Sequence, residues 1–172
     1  FKAMLELANV RQKAILLTAL NFCMKSGEVA DLIKSDIDLE KGTLVTTRNK
    51  TGATRIAVLW NRTRDAIRAY QKKHSHHAEH LFNSRIGTPL TAKAAGRIVI
   101  HLRRRANLPE SVSFDTIRDG GYTASIEGGV SETHAKLLAG HSVRMSDQYV
   151  RRNPKMVADA CQAIERYYFG GD

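Results

Sequence analysis

The sequence predicts a mainly α-helical fold that contains a small antiparallel β-hairpin or sheet. Apolar residues recur at helical spacing through much of the chain, and the stretch from Val10 to Met24 is apolar enough for a buried helix. Two β-branched runs, 43–48 and 54–59, flank the turn Asn49-Lys50-Thr51-Gly52 and predict a hairpin. A chain of 172 residues can form one domain with a substantial core.

Start and stop residues give the order of the other elements. A second helix is expected to begin with Ser26 or Gly27 as N-cap and Glu28 in its first turn. Asn61 is the expected N-cap of a helix that runs to about Gln71. The later predicted elements are a short strand at 81–82, helices at 92–106, 113–127 and 131–139, and a terminal helix at 153–168.

The charge of the chain predicts a polyanionic partner. The net charge is +10 and the pI about 9.9, and nucleic acid is the commonest partner of such a surface. Two arginine clusters are candidate contacts to the phosphate backbone of double-stranded DNA, although a generic basic surface is the alternative. They are Arg103-Arg104-Arg105, at the end of a predicted helix, and Arg151-Arg152.

The sequence does not favour a membrane-spanning, disulfide-stabilised or metal-binding protein. No apolar run approaches the ~18 residues of a membrane span. Cys23 and Cys161 lie in apolar helical segments and are expected to be buried thiols. Four of the seven histidines fall within 72–80. His76 and His80 have a permissible ligand spacing, but no second cluster would complete a coordination shell, so we expect a polar loop and no metal.

The stretch 137–152 carries the candidate chemistry. Gly140 is the expected C-cap of a helix, His141 follows it, and Tyr149 stands eight residues later, close to two arginines. A phenol needs positive neighbours or a base to act as a nucleophile, because its free pKa is about 10. The alternative is that Tyr149 packs in the core and His141 caps a helix.

Two further cations belong to this candidate site. Arg118 is predicted in the first turns of a helix, where free backbone N–H groups and a guanidinium together bind anions. Lys50 is at the tip of the hairpin, where a solvated turn lysine is the alternative interpretation.

The order of these residues resembles that of the tyrosine recombinase catalytic domain, the phage integrase family. The hairpin lysine of the family falls on Lys50, its second arginine on Arg118, and its nucleophile on Tyr149. The Leu-Gly-His segment of the family is similar to Leu138-Ala139-Gly140-His141. The resemblance covers nearly the whole chain.

The sequence departs from the family pattern in three places. Lys25 stands where the family has its first arginine, and it lacks the bidentate fork of a guanidinium. Asp115 replaces the histidine three residues before Arg118, and the spacing from His141 to Tyr149 is one residue shorter than expected.

The resemblance implies cleavage and rejoining of DNA strands in site-specific recombination or integration, without a cofactor or a metal. Tyr149 would form a 3′-phosphotyrosyl link, Arg118 and His141 would bind the phosphate, Lys50 would protonate the leaving oxygen, and Lys25 would supply part of the missing charge. Double-stranded DNA and further copies of the chain, in a tetramer on paired sites, are the implied partners. We expect a cytoplasmic, nucleoid-associated protein.

The domain organisation follows from the same resemblance. Residues 1–172 correspond to a single C-terminal catalytic domain, and we expect an N-terminal DNA-clamping domain to be absent from this sequence, which begins at Phe1. Three alternatives stay open: a degenerate DNA-binding relative with weak or no cleavage, an enzyme similar to type IB topoisomerases, and an unrelated basic helical DNA-binding module.

Overall fold

A computed structural model describes residues 1–47, 54–74, 79–140 and 154–170, apart from the side chain of Met156. The structure is mainly α-helical with one small sheet, which confirms the predicted fold class. Its helices are α1 (Lys2–Leu7), α2 (Val10–Asn21), α3 (Ser26–Ala30), α4 (Asn61–Lys73), α5 (Ala92–Arg105), α6 (Phe114–Glu127), α7 (Glu132–Ala139) and α8 (Lys155–Phe169), with a 3₁₀ turn at Lys34–Asp36. Its strands are β1 (Ile37–Asp38), β2 (Thr43–Thr47) and β3 (Thr54–Val58).

The sheet contains the predicted hairpin and one further strand. β2 and β3 pair antiparallel from Thr43 opposite Val58 to Thr47 opposite Thr54. The residues of β1 and those just before it, Ser35-Asp36-Ile37-Asp38, are typical of a turn in sequence, but Ile37 pairs with Leu44 and is buried. The order of the sheet is therefore β1-β2-β3.

The turn between β1 and β2 is fixed by one carboxylate. Asp38 accepts hydrogen bonds from the backbone N–H groups of Lys41 at 2.8 Å and Glu40 at 3.0 Å. The backbone N–H of Lys41, with further help from the Lys41 side chain, lowers the pKa of Asp38 below its usual value. This local turn explains why the sequence signal here was that of a turn, although a strand precedes it.

α2 is the central helix of the core. Its residues from Ala14 to Asn21 are all buried, as expected for a helix that is apolar on most faces. Asn9 caps its start, because the Asn9 side chain accepts from the Gln12 backbone and the Gln12 side chain accepts from the Asn9 backbone. α2 packs against α4 and α6, so the elements that flank the hairpin share one core.

Two predicted helix starts are wrong. Lys25, not Ser26 or Gly27, is the N-cap of α3, since the Glu28 carboxylate accepts from the Lys25 backbone N–H at 2.9 Å. Trp60, not Asn61, is the N-cap of α4. The Trp60 backbone N–H donates to the Asn21 amide oxygen at 2.9 Å, which fixes the start of α4 against α2.

The predicted strand at 81–82 is also wrong. Leu81 donates to the Leu32 carbonyl at 2.8 Å, and Phe82 accepts from the Leu90 N–H at 3.0 Å. These are single bonds to different partners rather than a repeated ladder. Both side chains are buried, so the apolar pair indicated burial correctly but not strand structure.

The helices that lead to the candidate site agree with the prediction. Ser113 and Ser131 cap the starts of α6 and α7, and each hydroxyl accepts from the backbone N–H three residues on. α7 ends at Gly140, which has φ 63° and ψ 31°. The left-handed conformation at this C-cap is one that glycine adopts without strain.

Both cysteines are buried free thiols, as predicted. Burial raises the pKa of Cys23 and that of Cys161 to about 12. Each thiol therefore stays protonated at neutral pH and acts as a small apolar side chain. Within the described residues, no helix has the length and apolar character needed to cross a membrane.

Candidate active site

The turn between α2 and α3 presents Lys25 at the protein surface. The chain reverses through Cys23, whose φ of 47° is uncommon for a residue other than glycine. The Met24 N–H donates back to the Ala19 carbonyl at 2.9 Å and closes the turn. Lys25 follows with an exposed side chain, while Phe22, Cys23 and Met24 are buried beneath it. A buried tripeptide thus anchors the turn that holds this cation.

Lys25 opens onto a cleft of about 730 Å³. The cleft brings Lys25 together with Asp115, from the first turn of α6, and with Thr46 and Thr47, from the end of β2. Asp115 is exposed. The lysine and the aspartate that depart from the family pattern therefore face the same cleft.

α6 places Arg118 one turn after its N-terminus and packs closely on the Lys25 turn. A Cβ added at Gly121 would lie 2.8 Å from the Cys23 sulfur and 3.3 Å from the Leu20 carbonyl oxygen, so α6 needs glycine there. The side chain of Arg118 is only 11% exposed. Its Nη2 donates to the Ala139 carbonyl at 3.4 Å, and its Nη1 lies 3.6 Å from the Asp119 carboxylate.

Arg118 retains hydrogen-bonding capacity in this arrangement. Its Nε is buried and has no hydrogen-bond partner within the described ranges. Asp119 is 69% exposed, so its ion pair with Arg118 is screened by solvent. A guanidinium that is held from one side and unsaturated on another can bind an anionic ligand.

Arg55 was missed by the sequence reasoning and is the most deeply buried cation among the described residues. It is 1% exposed on β3, its Nη1 donates to Glu28 at 3.0 Å, and its Nη2 donates to the Ala139 carbonyl. A charged residue is rarely buried without a partner. Two features of the sequence could have indicated this buried ion pair: an arginine inside the apolar strand 54–59, and Glu28 close to the end of a buried helix.

The end of α7 meets both guanidinium groups. The Ala139 carbonyl accepts from Arg55 and from Arg118. Carbonyls at the C-terminus of a helix have no intrahelical partner and carry partial negative charge, which stabilises the two cations there. A Cβ at Gly140 would lie 2.5 Å from Arg55 Nη2 and 2.9 Å from its Cζ, so only glycine fits against this guanidinium.

Five predicted site residues lie outside the described residues. They are Lys50, His141, Tyr149, Arg151 and Arg152. His141 follows directly after Gly140 in the sequence, and Lys50 belongs to the segment between β2 and β3. The assignment of the nucleophile and of these cations therefore stays a prediction.

The predicted cluster on α5 divides into two kinds of arginine. Arg103 donates to the carbonyls of Glu110 and Val112, and Arg105 donates to the Leu7 carbonyl at 3.2 Å. Arg104 is exposed. Contacts of these three arginines to DNA stay a prediction, but Arg103 also braces the loop that leads into α6.

The exposed face of α5 carries four residues that are basic or can become so. Lys93, Arg97, His101 and Arg104 are exposed and follow one another at intervals of four, four and three residues. Such spacing puts them on one side of a helix. We call this set the α5 basic face. It extends over about 16 Å, at 1.5 Å per residue.

A family comparison agrees with this geometry. The phage integrase family model matches residues 2–156, a range that includes Lys25, Arg55, the α5 basic face and Arg118. The chain belongs to the phage integrase family. The resemblance stated from the order of site residues is thereby confirmed at the level of the family.

Solved structures of integrases and recombinases have the same fold. XerA recombinase is similar with a TM-score of 0.76 and 20% identity, over 98% of this chain and 62% of that one. The integrase of mycobacterium phage Brujita has a TM-score of 0.73 and 23% identity, over 96% and 54%. The chain thus spans less than two thirds of the length of these two proteins.

A third structure is closer in length. The catalytic core of lambda integrase is similar with a TM-score of 0.64 and 18% identity, over 81% of this chain and 88% of that core. These identities show a shared fold.

Among curated protein sequences, no significant match to the chain is found. Within the described residues, no group of three or more His, Cys, Asp or Glu side chains could hold a metal ion.

Proposed function

We propose that the chain is the catalytic domain of a site-specific recombinase or integrase that cuts and rejoins DNA through a 3′-phosphotyrosyl intermediate. Lys25 and Arg118 match the two arginine positions of the family in sequence order. The observation that carries the proposal is that hydrogen bonds through α3, β3 and the end of α7 connect these two residues. Membership of the phage integrase family supports the reaction class.

In the proposed reaction, each step breaks one phosphoester bond and forms another, so the bond energy is conserved. The Tyr149 phenolic oxygen attacks a backbone phosphorus, the bond from phosphorus to the 5′-oxygen breaks, and the phenol releases its proton to water. Lys50 gives a proton to the leaving 5′-oxygen. A free 5′-hydroxyl, of the same or another strand, then attacks the phosphotyrosine and releases Tyr149. No cofactor is needed because the tyrosyl link stores the bond energy.

Arg118 and Lys25 would stabilise the charge that develops on the non-bridging oxygens. Preorganised donors are effective because they need no reorganisation during the reaction. Arg118 meets this condition, since the Ala139 carbonyl orients it and little of its side chain is exposed. Lys25 is exposed and is a single point charge, so it would contribute less than an arginine at that position.

DNA is the proposed substrate on grounds of charge and of similar proteins. The α5 basic face and the net charge of +10 suit a phosphate backbone. The integrase of transposon Tn1549, with a TM-score of 0.70 and 17% identity, has been solved in complex with transposon right end DNA. Lambda integrase has been solved as a dimer bound to a core site.

The assembly and the domain organisation belong to the same proposal. We expect the chain to act as a tetramer on paired DNA sites, in the cytoplasm at the nucleoid. We also expect a further N-terminal domain to close the DNA clamp. The similar lengths of this chain and the lambda catalytic core, and the greater lengths of XerA and the Brujita integrase, support this division.

A second candidate function is DNA binding without efficient cleavage. Lys25 lacks the fork of an arginine, and Asp115 adds a negative charge to the cleft that would receive the phosphate. Loss of one transition-state donor typically lowers a rate by ~10²–10³. This candidate predicts salt-sensitive DNA binding with no covalent intermediate.

The test of the proposed function is a suicide-substrate assay. Nicked duplexes carrying candidate sites are incubated with the protein and with Tyr149→Phe, and adducts that resist denaturation are resolved on a gel. We expect an adduct with the natural protein, none with Tyr149→Phe, and similar DNA affinity for both. An adduct that persists in the variant would refute Tyr149 as nucleophile, and DNA binding without any adduct would favour the second candidate.

A further inference from the structure

Arg55 connects three elements of the catalytic domain from a buried position. It is 1% exposed, on β3, and its guanidinium donates to Glu28 in α3 and to the Ala139 carbonyl at the end of α7. A buried cation is tolerated when it is paired and hydrogen-bonded, as Arg55 is through Nη1 and Nη2. Arg55 is therefore suited to hold α3 and the end of α7 in one relative position.

The contacts of Arg55 continue in both directions. On one side, the Glu28 oxygen that accepts from Arg55 also accepts from the Lys25 backbone N–H at 2.9 Å. On the other side, the Ala139 carbonyl that accepts from Arg55 also accepts from Arg118 at 3.4 Å. One hydrogen-bonded chain thus runs from Lys25 to Arg118 through Arg55.

The same guanidinium contacts the residue that precedes His141. Gly140 packs against Arg55 so closely that a Cβ would lie 2.5 Å from Nη2. The chain enters the segment of His141 from this contact, with Gly140 in the left-handed region. Arg55 therefore fixes the backbone at Gly140, the last described residue before His141.

We propose that Arg55 is a positioning residue for strand cleavage. It sets the place of Arg118 relative to Lys25, and fixes the end of α7 at Gly140, without touching DNA itself. This inference rests on the proposed function. The physical reason is that a transition-state donor acts only when it is held in the productive geometry by residues that are themselves fixed.

The first test separates the rate of cleavage from DNA binding. Arg55→Lys keeps the charge and the ion pair with Glu28 but cannot bridge to Ala139 as well, because an ammonium lacks the planar fork. At saturating suicide substrate we expect cleavage to slow by about tenfold to a hundredfold, the effect seen when metal ligands lose the hydrogen-bond partners that orient them. DNA affinity should be high enough to keep the variant bound. Its thermal unfolding midpoint should stay above the assay temperature, so that it is folded during the assay.

The control for this test is Arg62→Lys. Arg62 also joins two elements, since it donates to Glu165 on α8 at 2.9 Å and lies over the Phe169 ring. It lies outside the proposed site. Arg62→Lys should lower stability without slowing cleavage at saturation. Arg55→Lys that folds and cleaves at the natural rate would overturn the inference.

A double substitution distinguishes positioning from general destabilisation. If Arg55 acts through Arg118, Arg55→Lys should slow the Arg118→Ala variant much less than it slows the natural protein, because residues that act as a unit are not additive. Full additivity of the two rate losses would contradict the inference.

A spectroscopic test decides the inference even if the proposed function fails. ¹H–¹⁵N spectra of arginine side chains report rotation of the guanidinium of Arg118. We expect hindered rotation in the natural protein and faster rotation in Arg55→Lys, with no change in Arg62→Lys. If the natural protein forms no adduct, the proposed function fails, and unchanged Arg118 rotation in Arg55→Lys would independently refute positioning.

Discussion

Two groups of cations in this domain are held in opposite ways. Arg55 and Arg118 are buried or nearly so, and both donate to the carbonyl at the end of α7. The α5 basic face, formed by Lys93, Arg97, His101 and Arg104, is exposed. The first group has fixed geometry, whereas the second can adjust to a backbone that lies along it.

The difference indicates a division of labour between rate and affinity. We expect Arg118, as a fixed donor, to favour a developing charge over the ground state, and Arg55 to hold it in place, so both should affect the chemical step. Exposed lysines and arginines neutralise phosphates and release counterions, so they affect binding and its salt dependence. Substitutions in the two groups should therefore change different measured quantities.

The largest expected effect is on the cleavage rate of Arg118→Ala. Removing a preorganised donor should slow cleavage at saturating suicide substrate by ~10²–10³, while DNA affinity changes little. Single-turnover kinetics with a separate binding titration would measure both. A variant that binds DNA poorly but cleaves at the natural rate would reverse the assignment of Arg118 to the chemical step.

The next effect concerns stability. Glu28→Ala leaves the buried Arg55 without its carboxylate and should lower the free energy of unfolding by ~2–4 kcal/mol, somewhat below the range for fully buried pairs because Glu28 is 18% exposed. The matched change is Glu40→Ala, which removes the exposed ion pair with Arg68. It should cost less than about 1 kcal/mol in a urea titration. Equal losses would show that the Arg55 network is not special.

The α5 basic face is tested by its salt dependence. Replacing Lys93, Arg97 and Arg104 by alanine should weaken DNA binding and reduce the slope of log K against log salt by up to ~0.9 for each lost phosphate contact. Cleavage at saturation should stay near the natural rate. The control replaces Arg68, Lys72 and Lys73 on α4, which removes the same charge. The same change of slope in the control would indicate that the salt dependence comes from net charge rather than from contacts of the α5 basic face with DNA.

The smallest expected effect is a gain in rate. Lys25→Arg restores a bidentate donor on the turn between α2 and α3 and should raise cleavage by roughly tenfold, because one more hydrogen bond to a charged group is worth ~1.5 kcal/mol or more. Lys73→Arg, at the exposed end of α4, is the control. A clear fall in rate with Lys25→Arg would show that Lys25 does not stand in for an arginine.

Local signals predicted much of the fold. The β-branched runs 43–48 and 54–59 predicted the hairpin. Ser113 and Ser131 predicted the starts of α6 and α7, and Gly140 predicted the end of α7. Sequence patterns missed β1, because its turn chemistry masks a two-residue pairing that depends on β2. They also missed α1, a helix of six residues whose burial depends on tertiary packing.

Residues of the candidate site could be proposed one by one from the sequence, but the network that joins them could not. Lys25, Asp115 and Arg118 could be proposed because each matches a place in an ordered family pattern. Arg55 could not, because its importance comes from contacts with Glu28 and with Ala139, 84 residues away along the chain. Such long-range partners are fixed by packing, and no spacing along the chain encodes them.

The most direct measurement is the identity of the residue that carries DNA in the covalent adduct. The chain has five tyrosines. Of the four that the structure describes, Tyr167 is the most exposed, at 60%, and Tyr70 is buried. Digestion of the suicide-substrate adduct followed by mass spectrometry should give one modified peptide, with the nucleotide on Tyr149. Attachment to Tyr167, or to any residue other than Tyr149, would contradict the proposed mechanism.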